Sequence, residues 1–140
     1  MFSIDERIQS TCFTLDDWPL SRVLLKNEQH YPWLILVPRK NNVHELYQLE
    51  KEARQILMEE ITQLSLLVNE YFKPEKLNIG ALGNVVPQLH IHIVARSQSD
   101  DLWPQGIWQS AMHATPYEEK RLNTLLPDLK RVVIARRPVF

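Results

Sequence analysis

The stretch Leu89-His90-Ile91-His92-Ile93-Val94-Ala95-Arg96 sets two histidines two residues apart in an otherwise apolar run. Side chains alternate along a strand, so Leu89, Ile91 and Ile93 take one face while Gln88, His90 and His92 take the other. The apolar set then faces a core and the polar row lines the opposite surface, with about 7 Å between neighbours. Two imidazoles at that spacing can reach adjacent atoms of one ligand. Upstream, KLNIGAL reads as a second strand, and the intervening GNVVPQ predicts a short turn joining the two as a hairpin. Gly80 and Gly83 bracket a turn in which backbone can approach an anion with no Cβ in the way, and Asn84 adds an amide donor.

Working outward, residues 45–73 carry apolar side chains at three- and four-residue spacing, from Leu49 to Phe72, which predicts a long helix with one apolar face. Lys73-Pro74 ends it, because proline cannot continue the backbone ladder. Segments 11–15, 21–26 and 33–37 are rich in β-branched and aromatic residues and are separated by DDWP and NEQHYP turns, which predicts an antiparallel meander. After Ser97 comes an irregular loop, LWPQGIW. A last helix is expected from about Pro116, capped by Thr115, to Ala135, with Pro127 as a break or kink. Strands, long helix, strands, loop, helix is the order of an α+β fold. The expectation is one domain over residues 1–140: an antiparallel sheet of about five strands, the long helix on one face, and the Gln-His-His row on the central strand of the other.

Composition narrows the function. With 44% apolar and 24% charged residues the chain is globular in type, and 140 residues suit one compact domain. No apolar run approaches the ~20 residues that cross a bilayer, and MFSIDERIQS has no hydrophobic signal core, so a cytoplasmic protein without a membrane partner is expected. The lone cysteine, Cys12, excludes an internal disulfide and a thiolate metal cage. Sixteen basic against 17 acidic residues give no field that recommends nucleic acid. A small-molecule ligand is the expected partner.

Three readings of the histidine pair compete. A surface strand can carry solvated histidines by chance. His-x-His is a common metal pair, which would need a further ligand from His30, His44, His113 or a loop carboxylate. A histidine whose pKa near 6.5 leaves one ring nitrogen unprotonated at neutral pH can also attack phosphorus while its neighbour stabilises phosphate charge. The glycine turn just upstream favours the third.

QLHIHIVAR resembles the histidine triad (HIT) motif, in which three histidines alternate with apolar residues before two further apolar positions. WLILVPRK is similar to that family's strand ending in a Pro-Lys or Pro-Arg pair, and the Trp-Pro of LWPQG fits its C-terminal loop, so the likeness runs from about Ser21 to Trp108. The resemblance implies a nucleotidyl hydrolase or transferase acting on a nucleoside phosphate conjugate, of dinucleoside polyphosphate or phosphoramidate type. His90 matches the middle histidine, which attacks the α-phosphorus to form a nucleotidyl-histidine. His92 matches the last histidine, which stabilises charge on phosphate oxygens, and Gln88 stands where the first belongs. The resemblance sets Asn84, beside Gly83, where a glutamine contacts phosphate, and Asn27 where an acidic residue holds the ribose hydroxyls. Trp103 and Trp108 are candidates for stacking on a base. A homodimer with no cofactor and no metal is also implied.

The departures from the motif have chemical consequences. Glutamine donates and accepts hydrogen bonds but carries no charge. Val85 replaces a serine or threonine near the leaving group, removing a hydroxyl. Trp33 takes the place of a further histidine, with His30 three residues earlier. A nucleotide-binding protein with weakened catalysis, and a His-x-His metal enzyme, are the alternatives.

Overall fold

The computed structural model describes residues 1–108 and 114–140. The chain runs through a single helical turn α1 (Glu6–Gln9), strands β1 (Cys12–Asp17), β2 (Ser21–Lys26) and β3 (Trp33–Pro38), a 3-10 turn (Leu46–Gln48), helix α2 (Lys51–Phe72), strands β4 (Lys76–Gly80) and β5 (Ile91–Arg96), and helix α3 (Glu119–Ala135). The five strands form one antiparallel sheet in the order β1-β2-β3-β5-β4. The first three are the expected meander. The chain then crosses through α2, returns at the edge as β4, and β5 fills the gap between β4 and β3. The histidine strand is therefore second from the edge, and β3 is the central one. Composition explains the arrangement: β5 is buried along its whole length, whereas β4 is half exposed and begins on a lysine, as an edge strand tolerates.

Both faces of the sheet are covered. On one, Ile91, Ile93 and Ala95 pack with Leu34 and Leu36 against Leu57, Leu64 and Leu67 of α2 and Leu125, Leu129 and Val133 of α3. On the other, Leu24, Trp33, Ile35, Val37 and Val94 form a smaller cluster capped by Ile4, Ile8, Tyr31 and Ile107. This second layer is where the histidine face was expected to be simply polar. Period-two alternation holds through β5, with apolar covering supplied by loops on both sides of the site.

Several boundaries move for local reasons. The long helix starts at Lys51 rather than 45, because Glu45 and Gln48 close the 3-10 turn with reciprocal backbone bonds. It ends as expected, on Lys73 in the left-handed region at φ 52° before Pro74. α3 starts at Glu119, and Thr115 does not cap it; the Thr115 N–H instead donates to the Glu28 carboxylate. Pro127 lies inside α3, which continues to Ala135. β4 and β5 pair from Lys76↔Arg96 to Gly80↔His92, but residues 81–90 connect them, a ten-residue loop in place of a short hairpin turn. That loop makes room for the site. No helix among the described residues is long and apolar enough to cross a membrane.

Candidate active site

His92 lies in β5 between Ile35 of β3 and Gly80 of β4. The Trp33 indole N–H donates to its Nδ1 at 2.9 Å. A ring nitrogen that accepts carries no hydrogen, so neutral His92 holds its proton on Nε2. Burial, then the neighbouring His90 and Lys26, push the His92 pKa down to about 3. His92 is thus a neutral ring presenting an N–H. His90 has the opposite tautomer. Its Nδ1 lies 2.6 Å from the Gln88 carbonyl oxygen, and because a carbonyl only accepts, Nδ1 bears the hydrogen, so in the neutral ring the lone pair is on Nε2. The two rings stand edge to face with centroids 4.7 Å apart, and Trp33 and Trp108 flank His92 at 5.5 and 5.6 Å.

Both histidines open onto a cavity of about 480 Å³ whose wall includes Lys26, Trp33, Gly83, Asn84, Val85 and Trp108. Gly83 has φ +67°, and a Cβ there would meet the Val86 carbonyl oxygen at 3.4 Å. A side chain would strain this turn, so glycine is required for its shape. No carboxylate lines the cavity among the described residues, so its chemistry suits an anion. A cleft of about 940 Å³ beside α2 and the C-terminal residues is larger but contains neither histidine.

The family model described as HIT domain matches residues 7–99. The chain belongs to the histidine triad family. Its fold is similar to that of a histidine triad protein from Bradyrhizobium japonicum, at 38% identity over 93% of this chain and 96% of the other, with a TM-score of 0.88. A histidine triad protein from Marinobacter aquaeolei gives 36% identity, 98% and 96% coverage and a TM-score of 0.88. A histidine triad nucleotide-binding protein from Sulfolobus tokodaii, described as hypothetical, shares the fold at 14% identity, 89% and 85% coverage and a TM-score of 0.64. A search of curated proteins gave no match. Membership in the histidine triad family implies a function of nucleotide-binding or nucleotide-hydrolase type.

Within this triad fold, the expected site residues divide. His90, His92, Gly83 and Asn84 come together around the cavity, with Val85 exposed at its edge. The side chain of Gln88 turns to the N-terminal segment: its Oε1 accepts the Asp5 N–H at 2.8 Å and its Nε2 donates to the Ser3 carbonyl at 2.9 Å. The reason is that β5 begins at Ile91, so residues 88–90 precede the strand and the alternation that would align Gln88 with the histidines does not reach it. Its main-chain carbonyl, rather than its amide, touches the nucleophile candidate. Asn27 accepts from the Tyr117 N–H at 2.9 Å, which ties the end of β2 to the approach of α3, and it does not line the cavity. Trp103 lies away from the cavity too, with the Arg96 guanidinium 5.8 Å from its ring.

Arg96 does face the histidine side, but its guanidinium is buried and bonded to Asp100 at 2.8 Å, Asn78 at 2.8 Å and the Gln105 carbonyl at 2.8 Å. It braces the loop after β5. His30 Nδ1 contacts the buried Glu28 at 2.9 Å. His113 lies outside the described residues. No three of His, Cys, Asp and Glu gather into a metal-holding group among the described residues, so the His-x-His pair finds no third ligand there. Burial raises the Cys12 thiol pKa, which lowers its thiolate fraction.

Three features escaped the sequence reading. Lys26 extends the Leu24 face of β2, so period two already put it on the histidine side. The Trp33 indole as a partner of His92 was not foreseen. Nor was the role of the N-terminal segment, where Arg7, held by Asp5, donates to the Val85 carbonyl at 2.9 Å and fastens the loop that carries Gly83 and Asn84.

Proposed function

We propose that this protein is a nucleotidyl hydrolase or transferase that cleaves at the α-phosphate of a nucleoside phosphate conjugate through a covalent intermediate on His90. The observation that carries the reading is the bond from His90 Nδ1 to the Gln88 carbonyl, which fixes the tautomer with a lone pair on Nε2. In the first step Nε2 attacks the α-phosphorus; the P–N bond forms as the bond to the leaving group breaks, and the bonding pair departs with that group. Water then attacks the same phosphorus, the P–N pair returns to Nε2, and the water proton passes to solvent. The product is a nucleoside monophosphate. His92, neutral and protonated on Nε2, serves as a hydrogen-bond donor to a non-bridging oxygen as charge grows there. The Gly83–Asn84 turn offers backbone and amide donors to the same group.

Val85 supplies no hydroxyl to the leaving group. The site therefore suits groups that leave as stable anions, such as the nucleotide half of a dinucleoside polyphosphate, better than amines that need a proton. The reading takes the protein as a homodimer, as the family resemblance implies, and as cytoplasmic, as its sequence suggests; light scattering at twice the chain mass checks the dimer. Brief exposure to a dinucleoside polyphosphate or an adenosine phosphoramidate, followed by acid-free quenching and mass analysis, should reveal a nucleotidyl adduct on His90 that is absent from His90→Ala. Nucleotide binding without AMP release, in wild type as in His90→Ala, would instead support a binding protein. The commitment of the Gln88 side chain to the N-terminal segment is the observation that favours this second reading.

A further inference from the structure

We propose that Lys26 is the residue that binds the phosphate charge of the ligand in this cavity. This rests on the nucleotide reading above and deepens it. Lys26 ends β2 on the face that carries Leu24, and its side chain lines the same cavity as His90 and His92. The ammonium lies 5.6 Å from the Trp33 ring centroid, and it donates to the Thr11 hydroxyl at 3.0 Å. An ammonium has three donors, so two remain for a ligand.

Charge accounting singles this residue out. A phosphoryl group entering the cavity brings at least one negative charge. His92 is neutral, because burial holds its proton affinity far below the usual range, and a glutamine at 88 carries no charge wherever it points. Arg96 is taken up by Asp100, and Arg39 turns to the carbonyls of Trp18 and Pro19. Among the described residues Lys26 is the one lysine or arginine in the cavity wall, no carboxylate shares that wall, and no ion pair engages its ammonium. A solvated lysine at a strand end is the plainer reading. It leaves unexplained why the ammonium lies beside an indole whose own N–H bonds the active-site imidazole. The flexible four-carbon stem lets the charge move from Thr11 toward a ligand held at His90.

The test is equilibrium binding of AMP and of adenosine, by calorimetry, to wild type, Lys26→Gln and Lys26→Arg at low and physiological salt. Lys26→Gln should weaken AMP roughly tenfold, the loss of one charge-assisted contact, while leaving adenosine within twofold. Lys26→Arg should keep most of the AMP affinity, and the salt dependence of AMP binding should flatten only in the glutamine variant. AMP affinity unchanged in Lys26→Gln, or AMP and adenosine weakened equally, would overturn the proposal. The covalent reading fails separately. Wild type that binds AMP through Lys26 but never forms an adduct removes the chemistry and keeps this inference, whereas Lys26→Gln forming the adduct at the wild-type rate under subsaturating substrate removes this inference and keeps the chemistry.

Discussion

Replacing Gln88 by alanine separates two roles that the triad position could have. In the structure the Gln88 amide makes two bonds to main chain, one to the Asp5 N–H and one to the Ser3 carbonyl, at 2.8 and 2.9 Å. Each such bond is worth about 0.5–1.5 kcal/mol net, so the pair contributes about 1–3 kcal/mol. One of the two is solvent-exposed, and water can replace it, which brings the expected loss to the lower half of that range. The segment it holds is anchored as well by Ile4 and Ile8 in the second apolar layer, so the release is local before it is global. Hydrogen exchange should show faster exchange across residues 1–11, and the melting temperature should fall by about 3–7 °C for a domain of this size. Turnover should change less than tenfold, because alanine keeps the main-chain carbonyl that orients His90. Wild-type protection and melting temperature together with a hundredfold loss of turnover would refute the reasoning, since the amide would then be acting on substrate.

Other consequences are equally direct. Trp33→Phe keeps an aromatic ring but removes the N–H bonded to His92 Nδ1; the His92 tautomer is then unfixed, and turnover should drop roughly tenfold for about 1.4 kcal/mol of lost positioning, with the nitrogen-15 shifts of His92 reporting a mixed tautomer. Acid should destabilise the protein through His92, whose pKa falls from 6.5 in the unfolded chain to about 3 in the folded one. The unfolded state therefore binds the proton first, and stability is lost as pH falls from about 6.5 toward 3. By pH 4.5 the loss is about 2–3 kcal/mol at ~1.4 kcal/mol per unit, and denaturant melts of His92→Phe should lack this component. Gly83→Ala should cost about 1 kcal/mol, because alanine must adopt φ +67°, and should weaken AMP more than adenosine in the same calorimetric comparison.

How much of this was legible in the sequence depended on whether a residue's role is set by its own period or by distant chain. Alternation correctly put Ile91 and Ile93 against the helices and His92 on the other side, and helical spacing found the α2 face, because each pattern repeats within one element. Gly83 was readable as a turn residue from its own lack of a Cβ, though the loop around it is longer than the short hairpin turn expected. Gln88 was misplaced because nothing local announces that β5 starts at Ile91; a strand period was extended three residues too far. Trp33 and His92 are 59 positions apart and Asp5 and Gln88 are 83 apart, and no period connects them. Asn27 is a candidate by resemblance and Trp103 by its aromatic ring alone, and both are occupied with holding loops, where Tyr117 and Arg96 take their polar or aromatic capacity.

The two histidines have the same side chain and open onto the same cavity, yet their neighbours give them opposite chemistry. Each is fixed at Nδ1. His90 meets an acceptor, the Gln88 carbonyl, and so exposes a lone pair at Nε2; His92 meets a donor, the Trp33 indole, and so exposes an N–H at Nε2. The proposed attack on a phosphate requires a nucleophile beside a hydrogen-bond donor, and in this structure that division of tautomers is made by one main-chain oxygen and one tryptophan rather than by a third histidine. This explains how a glutamine can occupy the first triad position: the carbonyl contact is available from any residue there, so the side chain is free to secure the N-terminal segment. It also shifts the demand for positive charge away from the triad row, because neither a neutral His92 nor a glutamine supplies any, and Lys26 on β2 is where the chain still offers it.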